Sequence, residues 1–101
     1  MTTSSGHIYE RDLDKNAANY AALSPLSWVE RAAAVYPNGP SVVHGDIQYT
    51  WEETFTRCRR LSSALSYYGI KTGDAVAVLA TNIPAFYECL FGIPAAGAVI
   101  N

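Results

Sequence analysis

The clearest pattern along the chain is a run of apolar side chains at steps of three and four residues. These positions are Trp51, Phe55, Cys58, Leu61, Leu65 and Tyr68. A helix places such positions on one face, so the spacing predicts a helix over residues 51–68 that buries this face. Thr50 and Glu53 form the signature of a capping box at its start, and Gly69 predicts its end.

A shorter helix is predicted ahead of it, over residues 24–36. Ser24 is a good N-cap and Pro25 suits the first helical position, while Leu23 and Trp28 have the spacing of a hydrophobic staple. The face expected to be buried carries Leu26, Val29, Ala33 and Tyr36. The helix should end at the stretch Pro37-Asn38-Gly39-Pro40, because proline lacks the backbone donor that a helix needs.

A β-hairpin is predicted between the two helices, with strands near residues 42–43 and 47–49. Its arms are rich in β-branched and aromatic residues, and Gly45 between them can adopt a positive φ without a Cβ clash. His44 and Asp46 are interpreted as turn residues rather than as a catalytic pair, because Asp and Gly favour turns for backbone reasons alone.

The last part of the chain predicts a strand–helix–strand unit. Residues 75–80 are a continuous apolar run of the length typical of a strand buried on both faces, and residues 98–100 begin another strand. The helix between them is predicted over about residues 84–92. Pro94 is costly inside a helix and is expected to end or kink it near this point. Two adjacent, parallel strands are therefore predicted.

The predicted fold class is α/β, and the predicted sheet is too small to shelter its strands. Parallel strands are normally covered by helices on both faces of a sheet, yet only two of them and one hairpin are predicted here. We therefore expect an incomplete, N-terminal part of a larger domain. Residues 1–19 are predicted to be a polar, loosely ordered arm, and residues 20–101 the truncated portion of that domain.

The composition indicates a globular protein with no nucleic-acid partner and no membrane span. Half of the 101 residues are hydrophobic and the formal net charge is −2, which provides no basic surface for nucleic acid or anionic lipid. No secretory signal is predicted, and no apolar run reaches the ~18 residues of a transmembrane helix. Cys58 and Cys89 lack metal-ligand spacing and are interpreted as reduced core thiols. The expected location is cytoplasmic.

Two stretches have features of phosphate-binding elements but are interpreted as structural. Arg57, Arg59 and Arg60 form a small basic cluster, for which a solvated helix surface is favoured over a phosphate site. Ile70-Lys71-Thr72 lacks the glycine that precedes the lysine of a Walker loop, so it is interpreted as a connecting turn. The sequence offers no metal-ligand cluster and no nucleophile–base pair. We predict no catalytic, cofactor-binding or metal-binding residue in this chain.

From Tyr20 onward the chain resembles the N-terminal part of the adenylate-forming (AMP-binding) superfamily, in particular the acyl-CoA synthetases, or fatty-acid–CoA ligases. The order and spacing of several short elements carry this resemblance. They are Tyr49-Thr50-Trp51-Glu52-Glu53, Leu61, Ala64, Leu65, Gly69-Ile70, Gly73-Asp74, Val76-Ala77, Asn82, Glu88 and Ala96-Gly97-Ala98 through Asn101. The stretch from Asn16 to Ala32 is similar to the subgroup that activates short- and medium-chain acids, and Ile100, where many members have proline, fits that subgroup.

The resemblance implies a parent enzyme that uses ATP, Mg²⁺ and CoA to convert a fatty acid into its CoA thioester through an acyl-adenylate. The phosphate loop, the metal-binding pair and the catalytic lysine of that family lie beyond the part matched here. The 101 residues are therefore expected to be an inactive scaffold, and the parent's partners to be small molecules. The alternatives are a free-standing α/β module that binds a partner protein through its sheet edge, and a small nucleotide-binding domain.

Overall fold

The computed structural model describes residues 7–101 as three α-helices, two small sheets and one 3-10 helix. The elements in chain order are α1 (Pro25–Val35), β1 (Pro40–His44), β2 (Ile47–Thr50), α2 (Trp51–Tyr67), β3 (Ala75–Val76), α3 (Pro84–Ala95) and β4 (Val99–Ile100). The 3-10 helix, Ile8–Glu10, precedes them. This order confirms the predicted succession of helix, hairpin, helix and βαβ unit. The part of the predicted arm before residue 7 lies outside the described residues.

The long helix α2 is the central element, and it contacts α1, α3 and both strands of the hairpin. Its predicted capping box is present. The Thr50 hydroxyl accepts from the Glu53 N–H at 3.2 Å, and the Glu53 carboxylate accepts from the Thr50 N–H at 3.0 Å. At the other end Gly69 has a φ of 91°, and the Ile70 N–H donates to the Leu65 carbonyl at 3.0 Å. Both predicted ends of α2 are confirmed.

Apolar residues at the ends of α1 and α2 are more exposed than the helical pattern predicted. Tyr36 and Tyr68 are exposed, and so are Leu23 and Trp28, which were expected to form a staple over the start of α1. The middle of α1 behaves as predicted, with Val29 only 4% exposed. Two packed helices touch along a limited length around their crossing point. The periodicity identifies the correct face but not how far along it the neighbouring helix reaches.

The hairpin is antiparallel, as predicted, with Gly45 and Asp46 in its loop. Gly45 has a φ of 58°, which is the positive value that a two-residue hairpin loop of this kind requires. His44 is paired with Ile47 across the strands, and His44 and Asp46 are both exposed. The interpretation of Asp46 as a turn residue is confirmed, whereas His44 is the last residue of β1 rather than part of the turn. The pairing register shifts near Ser41, where β1 carries a β-bulge.

Strands β3 and β4 are parallel and adjacent, as predicted, but β3 is much shorter than the predicted run of residues 75–80. Ala75 pairs with Val99 and Val76 with Ile100. The Val78 N–H donates to the Asn101 carbonyl at 2.9 Å, which is the last hydrogen bond of this ladder. A strand exists only where a partner supplies its hydrogen bonds. The prediction of a six-residue strand was therefore wrong in length.

Helix α3 runs through Pro94 and ends at Ala95, so the expected end near residue 92 was wrong. A proline removes one hydrogen bond to the carbonyl four residues earlier, here that of Leu90. Leu90 is exposed, and only one further helical residue follows Pro94. Because the proline lies in the last turn, the helix loses one bond there and is not broken in its interior.

The most extensive packing is between α2 and α3, and it depends on Gly92. This glycine is buried in α3, and a Cβ built on it would lie 2.6 Å from Leu61 Cδ2 and 2.9 Å from Leu61 Cγ. Real Cβ atoms do not approach carbon atoms this closely. The two helices can therefore reach their observed separation only if residue 92 has no side chain.

The described residues nevertheless bury little apolar surface. The buried apolar side chains among residues 7–101 are Val29, Cys58, Ile93 and Ala98. The accessible surface is 7693 Å², whereas a compact chain of this length exposes about 5,600 Å². The radius of gyration is 17.9 Å, compared with about 13 Å for a compact chain of this length. Much surface that a compact domain would cover is exposed here.

We predict that Gly92→Ala lowers the free energy of unfolding by about 1–3 kcal/mol, the usual cost of overpacking. In a Leu61→Ala background the two nearest atoms, Cδ2 and Cγ, are removed and the Cβ of residue 61 remains 3.0 Å away. The same substitution should then lower the free energy of unfolding by much less, because most of the clash is gone and alanine is a better helix former than glycine. Urea titration of the original protein, the two single variants and the double variant measures the coupling free energy between residues 61 and 92. An equal cost in both backgrounds would contradict the Leu61 contact.

Candidate functional site

Polar side chains meet in the interior where α2 packs against α3. Arg57 of α2 donates from Nε to both carboxylate oxygens of Glu88 of α3, at 2.7 and 2.9 Å. The Glu88 side chain is 8% exposed and that of Arg57 is 42% exposed. The carboxylate is thus held inside the protein by a cation that itself reaches water.

Further contacts surround this ion pair. The guanidinium of Arg57 lies 4.7 Å from the centroid of the Tyr49 ring, within the range of a cation–π contact. Its hydrogen bond with Glu88 raises the pKa of Arg57 further above its ordinary value. The Cys58 Sγ lies 3.8 Å from the Glu88 carbonyl oxygen, to which it donates. The ion pair therefore joins α2, α3 and β2 in one cluster.

The two thiols near this cluster are poor nucleophiles. Burial raises the pKa of Cys58 from 9.0 to about 11, and burial also raises the pKa of Cys89. Both groups are therefore protonated at neutral pH, and the thiolate rather than the thiol is the reactive form. Both cysteines are free. The interpretation of Cys58 as a reduced core thiol is confirmed, whereas Cys89 is only half-buried.

A second polar cluster ties the hairpin to α2. The hydroxyl of Ser41, at the bulge of β1, hydrogen-bonds the hydroxyl of Thr54. The same oxygen lies 3.1 Å from the Tyr49 carbonyl and 3.0 Å from the Thr50 carbonyl. Thr54 is fully buried. Its hydroxyl has a partner, so this cluster anchors the hairpin on the helix.

The predicted basic cluster does not converge on one point. Arg57 is paired with Glu88, whereas Arg59 lies 5.6 Å from the Phe55 ring centroid and Arg60 is exposed. Lys71 lies in a turn in which its N–H donates to Asp74 Oδ2 at 2.7 Å, which confirms the connecting turn. Sequence reasoning missed the role of Arg57, because its partner is 31 residues away on another helix and no local pattern marks it.

An open groove of about 430 Å³ runs between the hairpin and the start of α3. Its lining is mostly apolar and includes Val42, Val43, Ile83, Phe86, Tyr87 and Leu90. His44 is its one ionisable side chain besides the Tyr87 phenol, so the groove has no acid–base pair. Within residues 7–101, no three His, Cys, Asp or Glu side chains gather as metal ligands. In the same part of the chain, no helix is long and apolar enough to cross a membrane.

The chain matches known proteins over most of its length. The sequence profile of the family described as AMP-binding enzymes matches residues 29–101. An acetate–CoA ligase from Humulus lupulus is 56% identical over 90 residues, which cover 89% of this chain and 16% of that protein. A peroxisomal acetate/butyrate–CoA ligase from Arabidopsis thaliana is 54% identical over 90 residues, with the same two coverages. Because each match covers 90 of the 101 residues, it begins no later than residue 12. The chain spans about a sixth of the length of these relatives.

A solved structure has the same fold. The N-terminal subdomain of Klebsiella oxytoca NpsA superimposes with a TM-score of 0.73 over 78% of this chain and 21% of that one, at 19% identity. At this identity the likeness concerns the fold alone, and it confirms the predicted α/β class and its place in the N-terminal part of a larger domain. The matched family profile and relatives more than half identical lead to one conclusion: the chain belongs to the AMP-binding enzyme family, and its relatives are CoA ligases.

Proposed function

We propose that this chain is the N-terminal part of an ATP-dependent acyl-CoA ligase. Such an enzyme converts a carboxylic acid, ATP and CoA into acyl-CoA, AMP and pyrophosphate. The observation that carries the proposal is the 56% identity with an acetate–CoA ligase across nearly the whole chain. The acids in the names of the two relatives, acetate and butyrate, favour a short- or medium-chain fatty acid as the substrate.

Within that enzyme we assign a scaffold role to these residues. Adenylation needs fixed cationic or backbone donors around the α-phosphate, and Mg²⁺ offsets the charge of the leaving pyrophosphate. Among the described residues, Arg57 is already paired with Glu88 and Lys71 lies in an exposed turn. No group of carboxylates suited to Mg²⁺ lies nearby. ATP, Mg²⁺ and CoA are therefore assigned to other parts of the enzyme, and the absence of site residues in this chain stays a prediction.

The location and the partners of the enzyme are also proposals. We propose small-molecule substrates and no nucleic-acid partner, since the net charge of −2 offers no basic footprint. The cytoplasmic location predicted from the sequence stays a prediction, because the Arabidopsis thaliana relative is named a peroxisomal enzyme.

We expect the 101-residue chain alone to catalyse no ATP–pyrophosphate exchange with any fatty acid. The reason is that the described residues offer no donors around an α-phosphate. The whole protein that contains this chain should show exchange that depends on Mg²⁺ and on a short- or medium-chain acid, followed by thioester formation with CoA. Radioactive pyrophosphate incorporation into ATP measures the first step, and chromatography of the acyl-CoA measures the second.

Two results would contradict the proposal. Exchange by the purified 101-residue chain would overturn the scaffold assignment. A whole protein that exchanges pyrophosphate but transfers the acyl group to an acceptor other than CoA would overturn the ligase assignment. A whole protein heated until it is inactive serves as the background control.

The Arg57–Glu88 pair provides a second test of the scaffold role. Arg57→Ala leaves the Glu88 carboxylate buried without its cation, which costs about 1–3 kcal/mol of stability. Glu88→Gln should lower the stability by less, because the guanidinium of Arg57 is partly exposed and water can solvate it when the carboxylate is removed. Measured below the unfolding temperature, kcat/KM of the whole enzyme should stay within about twofold of the original value in both variants, since neither residue is assigned to the reaction.

Thermal unfolding and steady-state kinetics on the same preparations separate the two effects. Arg60→Ala, an exposed arginine on the same helix, is the matched control and should change neither quantity. A loss of kcat/KM by Arg57→Ala of a hundredfold or more without a loss of stability, on the order of a lost catalytic donor, would show that this arginine acts in the reaction.

A further inference from the structure

Within the predicted arm, residues 14–20 form a turn held by its own side chains. Asn16 Oδ1 accepts from the N–H groups of Ala18 at 2.8 Å and Asn19 at 3.1 Å. Asn19 Oδ1 accepts in return from the Asn16 N–H at 2.9 Å, and Asn19 Nδ2 donates to the Asp14 carbonyl at 3.0 Å. The side chain of each asparagine thus hydrogen-bonds backbone groups of the turn, including the backbone N–H of the other asparagine.

The turn also orders a charged and an aromatic side chain. The Lys15 ammonium lies 4.4 Å from the centroid of the Tyr20 ring, at the distance of a cation–π contact. The Tyr20 N–H donates to the Asn16 carbonyl at 3.1 Å. Local hydrogen bonds and this cation–π contact therefore hold residues 14–20, which have no core of their own.

This ordered segment presents apolar side chains to solvent. Every residue from 11 to 23 is exposed, and Leu13, Tyr20 and Leu23 are 61%, 52% and 84% exposed. Ordering a segment has an entropic cost that burial normally offsets, and here three large apolar side chains within residues 13–23 are left exposed. The arm has the features of a surface that is covered in the assembled protein.

The size of the relatives indicates what covers it. The 90-residue matches with the two CoA ligases begin at residue 12 or earlier, so they span the positions of Leu13, Tyr20 and Leu23. These 90 residues are 16% of either relative. The chain also exposes about 2,000 Å² more than a compact chain of the same mass would. The relatives thus contain additional polypeptide that could cover the surface that is exposed in this chain.

We propose that residues 13–23 dock, through Leu13, Tyr20 and Leu23, onto the part of the same ligase polypeptide that follows residue 101. This inference rests on the proposed function, since it requires that further polypeptide. The turn at residues 14–20 orders Tyr20 and the backbone between Leu13 and Leu23 in advance, which lowers the entropic cost of docking. Because residue 23 leads directly into the cap of α1, the docked arm also fixes where α1 begins.

Limited trypsin digestion after Lys15 tests the docking. In the whole protein, without substrates, we expect cleavage at Lys15 to be at least about tenfold slower than in the 101-residue chain, because protease cuts the fraction of molecules whose arm is undocked. Leu13→Ser with Leu23→Ser in the whole protein should restore fast cleavage. The matched control is Ala21→Ser with Ala22→Ser, which introduces the same residues at exposed positions outside the turn and should stay protected.

The possible outcomes distinguish the docking of the arm from the proposed ligase function. Cleavage after Lys15 that is equally fast in the whole protein and in the 101-residue chain overturns the docking, even if the protein is an active ligase. Protection that disappears on dilution also overturns it, because the arm would then be covered by a second copy of the protein. Slow cleavage in a protein without ligase activity supports the docking while the proposed function fails.

Discussion

The contact between α2 and α3 at Leu61 and Gly92 sets the position of the other groups at this interface. Leu61 is one helical turn after Arg57, and Gly92 is one turn after Glu88, so the two contacts follow each other in the same order along both helices. The close approach permitted by Gly92 therefore also brings the carboxylate of Glu88 to Arg57. A side chain at residue 92 would separate both pairs at once.

The hairpin is positioned on α2 by the polar groups next to this contact. The Tyr49 ring lies against the Arg57 guanidinium, and the Ser41 hydroxyl bonds the buried hydroxyl of Thr54. Thr54 lies one position beyond the capping box of α2 and one turn before Cys58. Each buried polar atom in this region has a partner, as expected where an unpaired one would cost about 1–3 kcal/mol. Polar groups thus determine the position of the hairpin on α2, and apolar burial determines how the helices pack.

Local features of the sequence predicted the elements well, while contacts between distant residues stayed out of reach. The capping box at Thr50 and the turn at Gly45 depend on neighbouring residues, and the parallel βαβ unit follows from the order of its elements along the chain; all three are confirmed. The length of β3 depends on its partner strand, so residues 77–80 were predicted wrongly. The Arg57–Glu88 pair joins two helices whose crossing no periodicity reveals. The predicted absence of site residues stays a prediction, because the arrangement of helices and strands alone does not identify catalytic groups.

The sparse core indicates that, in the proposed ligase, this segment would depend on the rest of the enzyme for its stability. Four buried apolar side chains among residues 7–101 are few for a chain of this length, and Leu79 after β3 is fully exposed. In the proposed ligase, a further strand could pair with residues 77–80, and helices would cover both faces of β3 and β4, as a parallel sheet requires. The ion pair at Glu88 and the glycine contact keep the helices in register, but they do not remove apolar surface from water. In the proposed ligase the remaining burial would come from polypeptide packed against the sheet and the arm, so a substitution at either surface would lower the stability of the whole domain.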